Sequence, residues 1–236
     1  MQNYILKLSG EYLKGSHEAG LDPLQVEKLA SEIKLVKESV EAGIGIVIGG
    51  GNFFRGRDAE KMNFSRVDLD YMGMMGTVMN SIALKNVLEK EGVKTALFSS
   101  LDLPDVMDPY DKERAQISMN RGDICIFAGG TGHPYFSTDT AALLKAVDLD
   151  CSLVLMGKNG TDGVYDSDPL LNSNAKKYDI LTSRDVIEKK IKVMDLSAAS
   201  IASTNGIDIL VFDIDMKDSI LRAIKGEKIG TLVKGE

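Results

Sequence analysis

The sequence has few cysteines, few histidines and no long apolar run, and each shortage narrows the class of protein. Cys125 and Cys151 are the only cysteines among 236 residues, they form no CxxC spacing, and only two histidines accompany them. We therefore expect no disulfide or metal staple, and two buried thiols in a reducing compartment. No apolar stretch approaches the roughly 20 residues that a membrane helix needs.

Basic residues are fewer than acidic residues in this chain. Lysine and arginine total 28 against 35 acidic residues, the formal net charge is −7, and no run of basic residues occurs. Nucleic-acid binding rests on a basic surface, so nucleic acid is not expected as the main partner, although local pockets for small anions remain open. The segment Met1–Leu8 lacks the basic region and cleavage site of an export signal. We expect a cytoplasmic protein with no membrane partner.

Short β-branched runs alternate with longer segments of helical period. At this length roughly 70% of the unfolded chain's surface can be buried, so one domain over residues 1–236 is predicted. Several runs are apolar throughout, which is typical of a covered parallel sheet. The pattern predicts a three-layer α/β/α sandwich with a mainly parallel central sheet and ligands at the carboxyl ends of the strands. Strands are predicted over 4–8, 44–48, 95–98, 124–128, 153–156 and 209–212, and helices from Pro23, over 70–91 and over 111–121.

The predicted helix over 70–91 is unusually rich in methionine, with Met74, Met75 and Met79 among its apolar residues. Such residues at helical spacing are more often core or subunit-contact residues than ligand contacts, and methionine's flexibility suits both roles. The helix is apolar enough to favour oligomerisation, whose type the pattern leaves open.

Four loops that follow predicted strands contain residue types that are common in ligand-binding and catalytic sites. In the first, Lys7 lies late in a buried strand, which is costly unless its ammonium emerges at a site or extends to solvent. In the second, Gly49, Gly50 and Gly51 precede Arg55. Glycine amides approach a ligand oxygen closely and a guanidinium fits phosphate, but a tight strand-to-helix turn has the same glycines.

The third and fourth loops combine glycines with polar side chains. Residues 129–142 include Thr138 and Asp139, either of which could cap the following helix, whose amino terminus favours a phosphate. Residues 158–169 could hold a purine ring and a metal-bound triphosphate, and they could equally form a solvated turn.

Five segments, in this order, resemble the bacterial uridylate kinases of the amino-acid-kinase superfamily: 7–11, 48–56, 131–139, 162–165 and 192–196. The likeness is colinear from residue 4 to residue 233. It implies the amino-acid-kinase fold, also called carbamate-kinase-like, and ATP-dependent transfer of a phosphoryl group to UMP, giving UDP for pyrimidine nucleotide synthesis. The absence of a Walker A sequence fits, because this family is unrelated to the P-loop kinases.

The resemblance also implies roles for individual residues. The implied ATP-binding residues are Lys7, Leu8, Ser9, Gly10, Gly51, Arg55, Asn159, Tyr165 and Asp168. The implied UMP-binding residues are Gly50, Asp70, Thr131, Gly132, His133, Pro134, Tyr135, Phe136, Ser137 and Thr138. The implied catalytic residues are Lys7, Arg55, Asp139 and Asp195.

The implied chemistry needs a positive field and no general base. Phosphoryl transfer depends on positioning and charge stabilisation, for which Lys7, Arg55, backbone amides and Mg²⁺ from MgATP are expected. Direct metal ligands are not indicated. By analogy with relatives, a homohexamer is expected, and GTP as activator and UTP as inhibitor are candidate effectors.

One position departs from the family pattern, and two other functions stay open. His133 stands where the pattern has asparagine. A kinase of the same superfamily that phosphorylates a carboxylate or carbamate would have no need of Asp70 or of the loop over 132–139 for a ribose and uracil. A nucleotide-binding sensor without turnover would not need the four residues Lys7, Arg55, Asp139 and Asp195 together.

Overall fold

A nine-stranded sheet forms the centre of the molecule. The computed structural model describes residues 2–54, 63–169 and 171–236. The strands, in chain order, are β1 (Gln2–Leu8), β2 (Ala42–Ile48), β3 (Thr95–Ser99), β4 (Asp108–Pro109), β5 (Ile124–Ala128), β6 (Leu153–Lys158), β7 (Val164–Tyr165), β8 (Lys177–Tyr178), β9 (Ile180–Thr182), β10 (Asp208–Asp213) and β11 (Thr231–Lys234). Strands β7 and β8 form a separate antiparallel pair.

The order of the large sheet is β4-β3-β5-β2-β1-β6-β10-β11-β9. All neighbouring strands are parallel except β10 and β11. In the middle of the sheet Leu8 pairs with Ile48 on one side and with Gly157 on the other, so β2, β1 and β6 end at the same level. The loops that follow these strands therefore start side by side.

Eight helices are described, and most begin at a residue that caps the free amides of the first turn. Asp22 caps the helix that starts at Pro23, Ser65 caps the long methionine-rich helix, and Asp111 caps the helix after β4. The helices are α1 (Gly10–Leu13), α2 (Pro23–Ser39), α3 (Arg66–Lys90), α4 (Lys112–Arg121), α5 (Thr138–Asp148), α6 (Ser183–Glu188), α7 (Leu196–Asn205) and α8 (Ser219–Ile224).

Helices cover both faces of the sheet, with one apolar core on each side. Successive residues of a strand point to opposite faces, so Leu6 packs with α2 and α3 while Ile5 packs with α5 and α7. Cys125 and Cys151 are free and buried on the second face, and burial raises the pKa of each thiol to about 12. The predicted α/β sandwich with a mainly parallel sheet is confirmed.

Most element predictions are confirmed within a few residues. All six predicted strands exist, and the helix predicted over 70–91 begins earlier, at Arg66, because Ser65 supplies the cap. The short strands β4, β7, β8 and β9 were not predicted, since two or three residues give no hydrophobic period. Among the described residues no helix is long and apolar enough to cross a membrane.

Candidate active site

The four chemistry-bearing loops leave the sheet side by side. They follow β5, β2, β1 and β6, which are consecutive in the sheet order and parallel to one another. The carboxyl ends of parallel strands share one edge, and ligands of open α/β sheets bind there. The sheet topology therefore gathers residues that are more than 150 positions apart in sequence.

Lys7 and Asp139 form an ion pair at this edge. Lys7 lies near the end of β1 and is 6% exposed, and Asp139 lies in the first turn of α5. Of the two possibilities that the sequence left open for Lys7, a side chain at a site or one that extends to solvent, the structure therefore excludes the second. Burial alone would raise the pKa of Asp139, but the ammonium groups of Lys7 and Lys158 outweigh it and hold that pKa below its usual range.

Lys158 is a second cation beside the same carboxylate, and no sequence pattern indicated a role for it. Its Nζ lies 3.9 Å from Asp139 Oδ2, and its side chain is 21% exposed. Burial lowers the pKa of Lys158 to about 8, although the Asp139 carboxylate opposes this effect. The strand register was the missing information, because it alone brings the end of β6 next to Lys7.

Asp195 joins the amino termini of α5 and α7. It caps α7 by accepting from the amide of Ala198 at 2.7 Å, and it accepts hydrogen bonds from the hydroxyls of Ser137 and of Thr140, the latter at 2.9 Å. A carboxylate with several donors fixes the geometry of both helix ends. Asp195 therefore lies within the predicted catalytic region.

The capping residue of α5 is Ser137, so the expectation that Thr138 or Asp139 caps this helix is wrong. Ser137 has an extended backbone, and its side chain accepts from the amide of Asp139 at 3.0 Å. The carboxylate of Asp139 instead pairs with Lys7.

The glycine loop after β2 packs tightly against its neighbours. A Cβ on Gly10 would overlap the carbonyl oxygen of Gly49, and a Cβ on Gly50 would overlap that of Gly73 in α3. Only glycine allows these approaches without displacing backbone. The loop is therefore packed closely between α1 and α3.

The buried side-chain amides of Asn52 and Asn80 stabilise this loop through hydrogen bonds. Each donates to the other's side-chain oxygen, at 2.8 and 2.9 Å. Asn80 also donates to the carbonyl of Gly49 at 2.7 Å, and Asn52 donates to that of Gly20 at 2.8 Å. No sequence pattern marked either residue, because an asparagine in a turn, such as Asn52, or in a helix, such as Asn80, carries no signal that it is buried.

Asp70 contacts the loop after β5. Its carboxylate accepts from Arg66 at 2.8 and 2.9 Å and from the amide of Tyr135 at 2.7 Å. Tyr135 has φ +73°, a left-handed conformation that side-chain-bearing residues seldom adopt. The contact thus ties α3 to the predicted UMP-binding loop.

The glycine-loop cavity, of about 680 Å³, opens between α3 and the start of α5. Six residues predicted to bind a nucleotide line it: Gly50, Gly51, Asp70, Phe136, Ser137 and Thr138. The other predicted UMP-binding residues do not: Thr131 lines a separate cavity with Lys145, and Gly132, His133, Pro134 and Tyr135 line neither.

The second cavity, the Tyr165 cavity, has a volume of about 490 Å³. It is lined by residues 160–161, 164–169 and 189–193. Tyr165 and Asp168 belong to it as predicted. Asn159 does not line it, because its side-chain amide donates to Asp215 at 2.7 Å. Lys189, Lys190 and Lys192 add positive charge to its wall.

The remaining predicted residues have varied positions. Leu8 is buried in the core, and the hydroxyl of Ser9 caps α1 by accepting from the amide of Glu11. Arg55 lies outside the described residues. Within residues 2–54, 63–169 and 171–236, no three His, Cys, Asp or Glu side chains converge as metal ligands.

The chain belongs to the amino acid kinase family, whose model matches residues 3–213. Two similar proteins are both named uridylate kinase. The one from Streptomyces avermitilis is 47% identical, with 98% of this chain and 91% of the relative covered, and the one from Pediococcus pentosaceus is 42% identical, with 98% and 96% covered. A solved UMP kinase from Bacillus anthracis superposes with a TM-score of 0.95 at 34% identity, covering 100% of this chain and 96% of that structure.

Proposed function

We propose that this chain is a UMP kinase that transfers the γ-phosphoryl group of ATP to UMP and forms UDP and ADP. The observation that carries the proposal is the likeness to two uridylate kinases, at 47% and 42% identity over 98% of this chain. Two further features support it, because the reaction needs room for two nucleotides and a positive charge near their phosphates. They are the two cavities and the ion pair of Lys7 with Asp139 at the sheet edge. We further propose that residues 1–236 work as one amino-acid-kinase domain.

UMP is proposed to occupy the glycine-loop cavity. Asp70 would accept hydrogen bonds from the ribose, and its two existing partners, Arg66 and the Tyr135 amide, hold the carboxylate in place for that purpose. Gly50 would contact the UMP phosphate through its backbone, and the loop over 131–138 would close around the uracil and ribose. An acceptor without a ribose has no use for Asp70 at this position.

ATP is proposed to occupy the Tyr165 cavity and to extend toward the glycine loop. Tyr165 and Asp168 would contact the adenine and ribose, with Asn159 nearby on the same loop. The phosphates would reach the backbone of residues 8–10 and of Gly51. The lysines in the cavity wall favour a polyanion there.

Catalysis by this site is proposed to be electrostatic. Two phosphate groups repel one another, so a cationic clamp is required before they align, and the loose transition state places charge on the equatorial oxygens. Lys7, the amino terminus of α5 and Arg55 would supply that positive field. The lowered pKa of Asp139 keeps its carboxylate ionised. Because the UMP phosphate is already ionised, this carboxylate is not required as a base. We therefore propose that Asp139 orients the neighbouring lysines.

Magnesium is proposed to enter as part of the substrate MgATP. Mg²⁺ usually keeps several waters and binds through substrate phosphates with one or two carboxylates, so a protein cage is not required. The described residues fit this mode, because their acidic side chains do not converge as a cage and Asp139 and Asp195 already have protein partners. When bound, the metal would neutralise phosphate charge.

Assembly and control are also proposed by analogy with the family. Helix α3 presents an exposed apolar face that suits a subunit contact, with these residues exposed: Tyr71, Met72, Met75, Met79 and Ile82. A homohexamer, with GTP as activator and UTP as inhibitor, is the arrangement that we propose. Sedimentation velocity with and without GTP tests it, and a monomer under both conditions would contradict it.

An acceptor panel tests the proposed function. ADP formation is followed with ATP, Mg²⁺ and one of UMP, CMP, dUMP, aspartate or carbamate. The proposal predicts turnover with UMP well above that with the other acceptors. Activity with aspartate or carbamate but not UMP would favour the carboxylate- or carbamate-kinase alternative, and nucleotide binding without turnover would favour the sensor.

A further inference from the structure

Tyr165, in the wall of the cavity proposed for ATP, is held by a carboxylate that lies outside that wall. Its hydroxyl donates to Asp162 Oδ1 at 2.6 Å, and Asp162 is not among the residues that line the cavity. A phenol hydroxyl has a single hydrogen to donate. That hydrogen is committed to Asp162, so Tyr165 offers a nucleotide its ring, and its oxygen only as an acceptor.

Lys177 holds the other oxygen of the same carboxylate. Its Nζ donates to Asp162 Oδ2 at 2.9 Å, and the Lys177 side chain is 32% exposed. Lys177 and Tyr165 lie directly opposite each other in the antiparallel pair of β7 and β8. Side chains at directly opposite positions lie on the same face of such a pair. Asp162 therefore bridges two cross-strand neighbours, with one oxygen for each.

The hairpin of β7 and β8 is attached to the large sheet through Thr231 on β11. The Thr231 hydroxyl accepts from the amide of Val164 at 2.9 Å and donates to the carbonyl of Tyr178. A Cβ on Gly163 would lie 2.6 Å from that hydroxyl oxygen and 3.0 Å from Lys177 Cδ. Any other residue at this position would displace one of these neighbours. The hairpin is therefore a fixed support for the side chains that it carries.

Asp162 and Tyr165 keep the ionisation states that their contact needs. The Tyr165 hydroxyl and the Lys177 ammonium lower the pKa of Asp162, so its carboxylate stays charged. The hydrogen bond to Asp162 raises the pKa of Tyr165, so its hydroxyl keeps the proton that it donates. The contact is therefore complete at neutral pH, with a fixed donor and a fixed acceptor.

We propose that Asp162 and Lys177 are positioning residues for ATP, which fix the ring of Tyr165 against the adenine and ribose of the nucleotide. The inference rests on the proposed function. A side chain that is already held in one orientation loses little conformational entropy when a ligand binds, and such preorganisation increases affinity. The effect belongs to nucleotide binding, because Lys7 and Asp139, which are proposed to act at the phosphates, are not part of the hairpin.

Tyr165→Phe, Asp162→Ala and the double variant test the inference in a thermodynamic cycle. We expect each single variant to weaken the calorimetric affinity for a non-hydrolysable ATP analogue about threefold to tenfold, as the loss of one hydrogen bond does. Both changes remove the same contact, so the double variant should match Asp162→Ala. The KM for ATP should rise in step, while kcat and the affinity for UMP should change much less.

Two lysine variants separate this contact from a general effect of charge. Lys234 is a similarly exposed lysine on β11, paired with Asp208 at 2.7 Å, and Lys234→Met is the matched control for Lys177→Met. We expect Lys177→Met to weaken the affinity for the analogue about twofold, since a partly exposed ion pair contributes little. Lys234→Met should match the wild type. Asp162→Asn keeps an acceptor for the Tyr165 hydroxyl, so it should retain more affinity than Asp162→Ala.

Two results would overturn the inference and leave the proposed function intact. One is wild-type affinity for the analogue in Asp162→Ala, and the other is a double variant whose loss is the product of the two single losses. A wild type that binds the analogue without phosphorylating UMP would overturn the proposed function alone, and one without affinity for the analogue would overturn both. Should Asp162→Ala fail to fold by circular dichroism, wild-type affinity in Tyr165→Phe would overturn the inference.

Discussion

Lys7 and Asp139 form an ion pair in which both side chains are nearly buried, with exposed fractions of 8% and 12%. The pair joins the end of the central strand β1 to the first turn of α5. It thus fixes the carboxyl edge of the sheet to a helix amino terminus. A buried pair of this kind is costly to break, because the group that remains keeps its charge without its partner.

Asp139→Asn should destabilise the fold in a pH-dependent way. We expect a loss of about 3 kcal/mol at neutral pH, since two lysines then lack their carboxylate. The folded pKa of Asp139 is lowered, so its contribution is present above the unfolded pKa of about 3.9 and is lost as pH falls through the folded value. Urea unfolding of both proteins from neutral pH to about pH 3 measures the gap, which should narrow as the pH falls below about 3.9. A gap of constant size would count against the pairing.

Asn80→Leu should loosen the glycine loop. The substitution leaves the Gly49 carbonyl and the Asn52 amide without their buried partner, which should cost about 2 kcal/mol. For a chain of this size that corresponds to about 4–8 °C in Tm, measured by calorimetry. The KM for UMP should also rise. The matched control is Asn205→Ala, which removes an exposed asparagine whose side-chain amide donates to the Ile201 carbonyl, and an equal loss in that variant would refute the special role of Asn80.

The sequence could predict the architecture and the site loops, because both have strong local signals. Apolar β-branched runs marked β1, β2 and β5, and glycines marked the turn at Gly49, whose close contacts only glycine permits. The order of the strands in the sheet has no such signal. For this reason the convergence of Lys7 with Asp139 was expected only through the family resemblance.

Gly50→Ala and Gly73→Ala test the close approach of the glycine loop to α3. At Gly50 a methyl group would overlap the Gly73 carbonyl, so we expect a loss of about 1–3 kcal/mol together with a raised KM for UMP. At Gly73 an added methyl group meets nothing within 4 Å, and in a helix alanine should stabilise by up to about 1 kcal/mol. Thermal unfolding compares the two, and equal destabilisation would show that the contact is not the cause.

Met79→Glu should weaken assembly through α3. Met75 and Met79 are each 42% exposed on this helix, and a charge placed in an apolar contact is unfavourable. Sedimentation velocity should show a smaller species for the variant. Leu24→Glu is the control, because Leu24 is an exposed apolar residue on a different helix, α2. Unchanged sedimentation of Met79→Glu would place the subunit contact elsewhere.

The parts of the site that sequence patterns did not reveal are those set by burial and register. Asn52 and Asn80 look like ordinary polar residues until the fold buries them, and Lys158 resembles any loop lysine until β6 pairs with β1. The sequence pattern also predicted the wrong cap for α5. The cap is Ser137, and the carboxylate of Asp139 pairs with Lys7 instead.

The most direct test of the account follows one phosphoryl group. ATP isotopically labelled at its γ-phosphate is mixed with UMP, Mg²⁺ and the protein, and the products are separated. The account predicts that the label appears in the β-phosphate of UDP in step with ADP formation, and that Lys7→Met reduces this transfer by about a hundredfold or more. Label found only in free phosphate, or in another acceptor in preference to UMP, would contradict it.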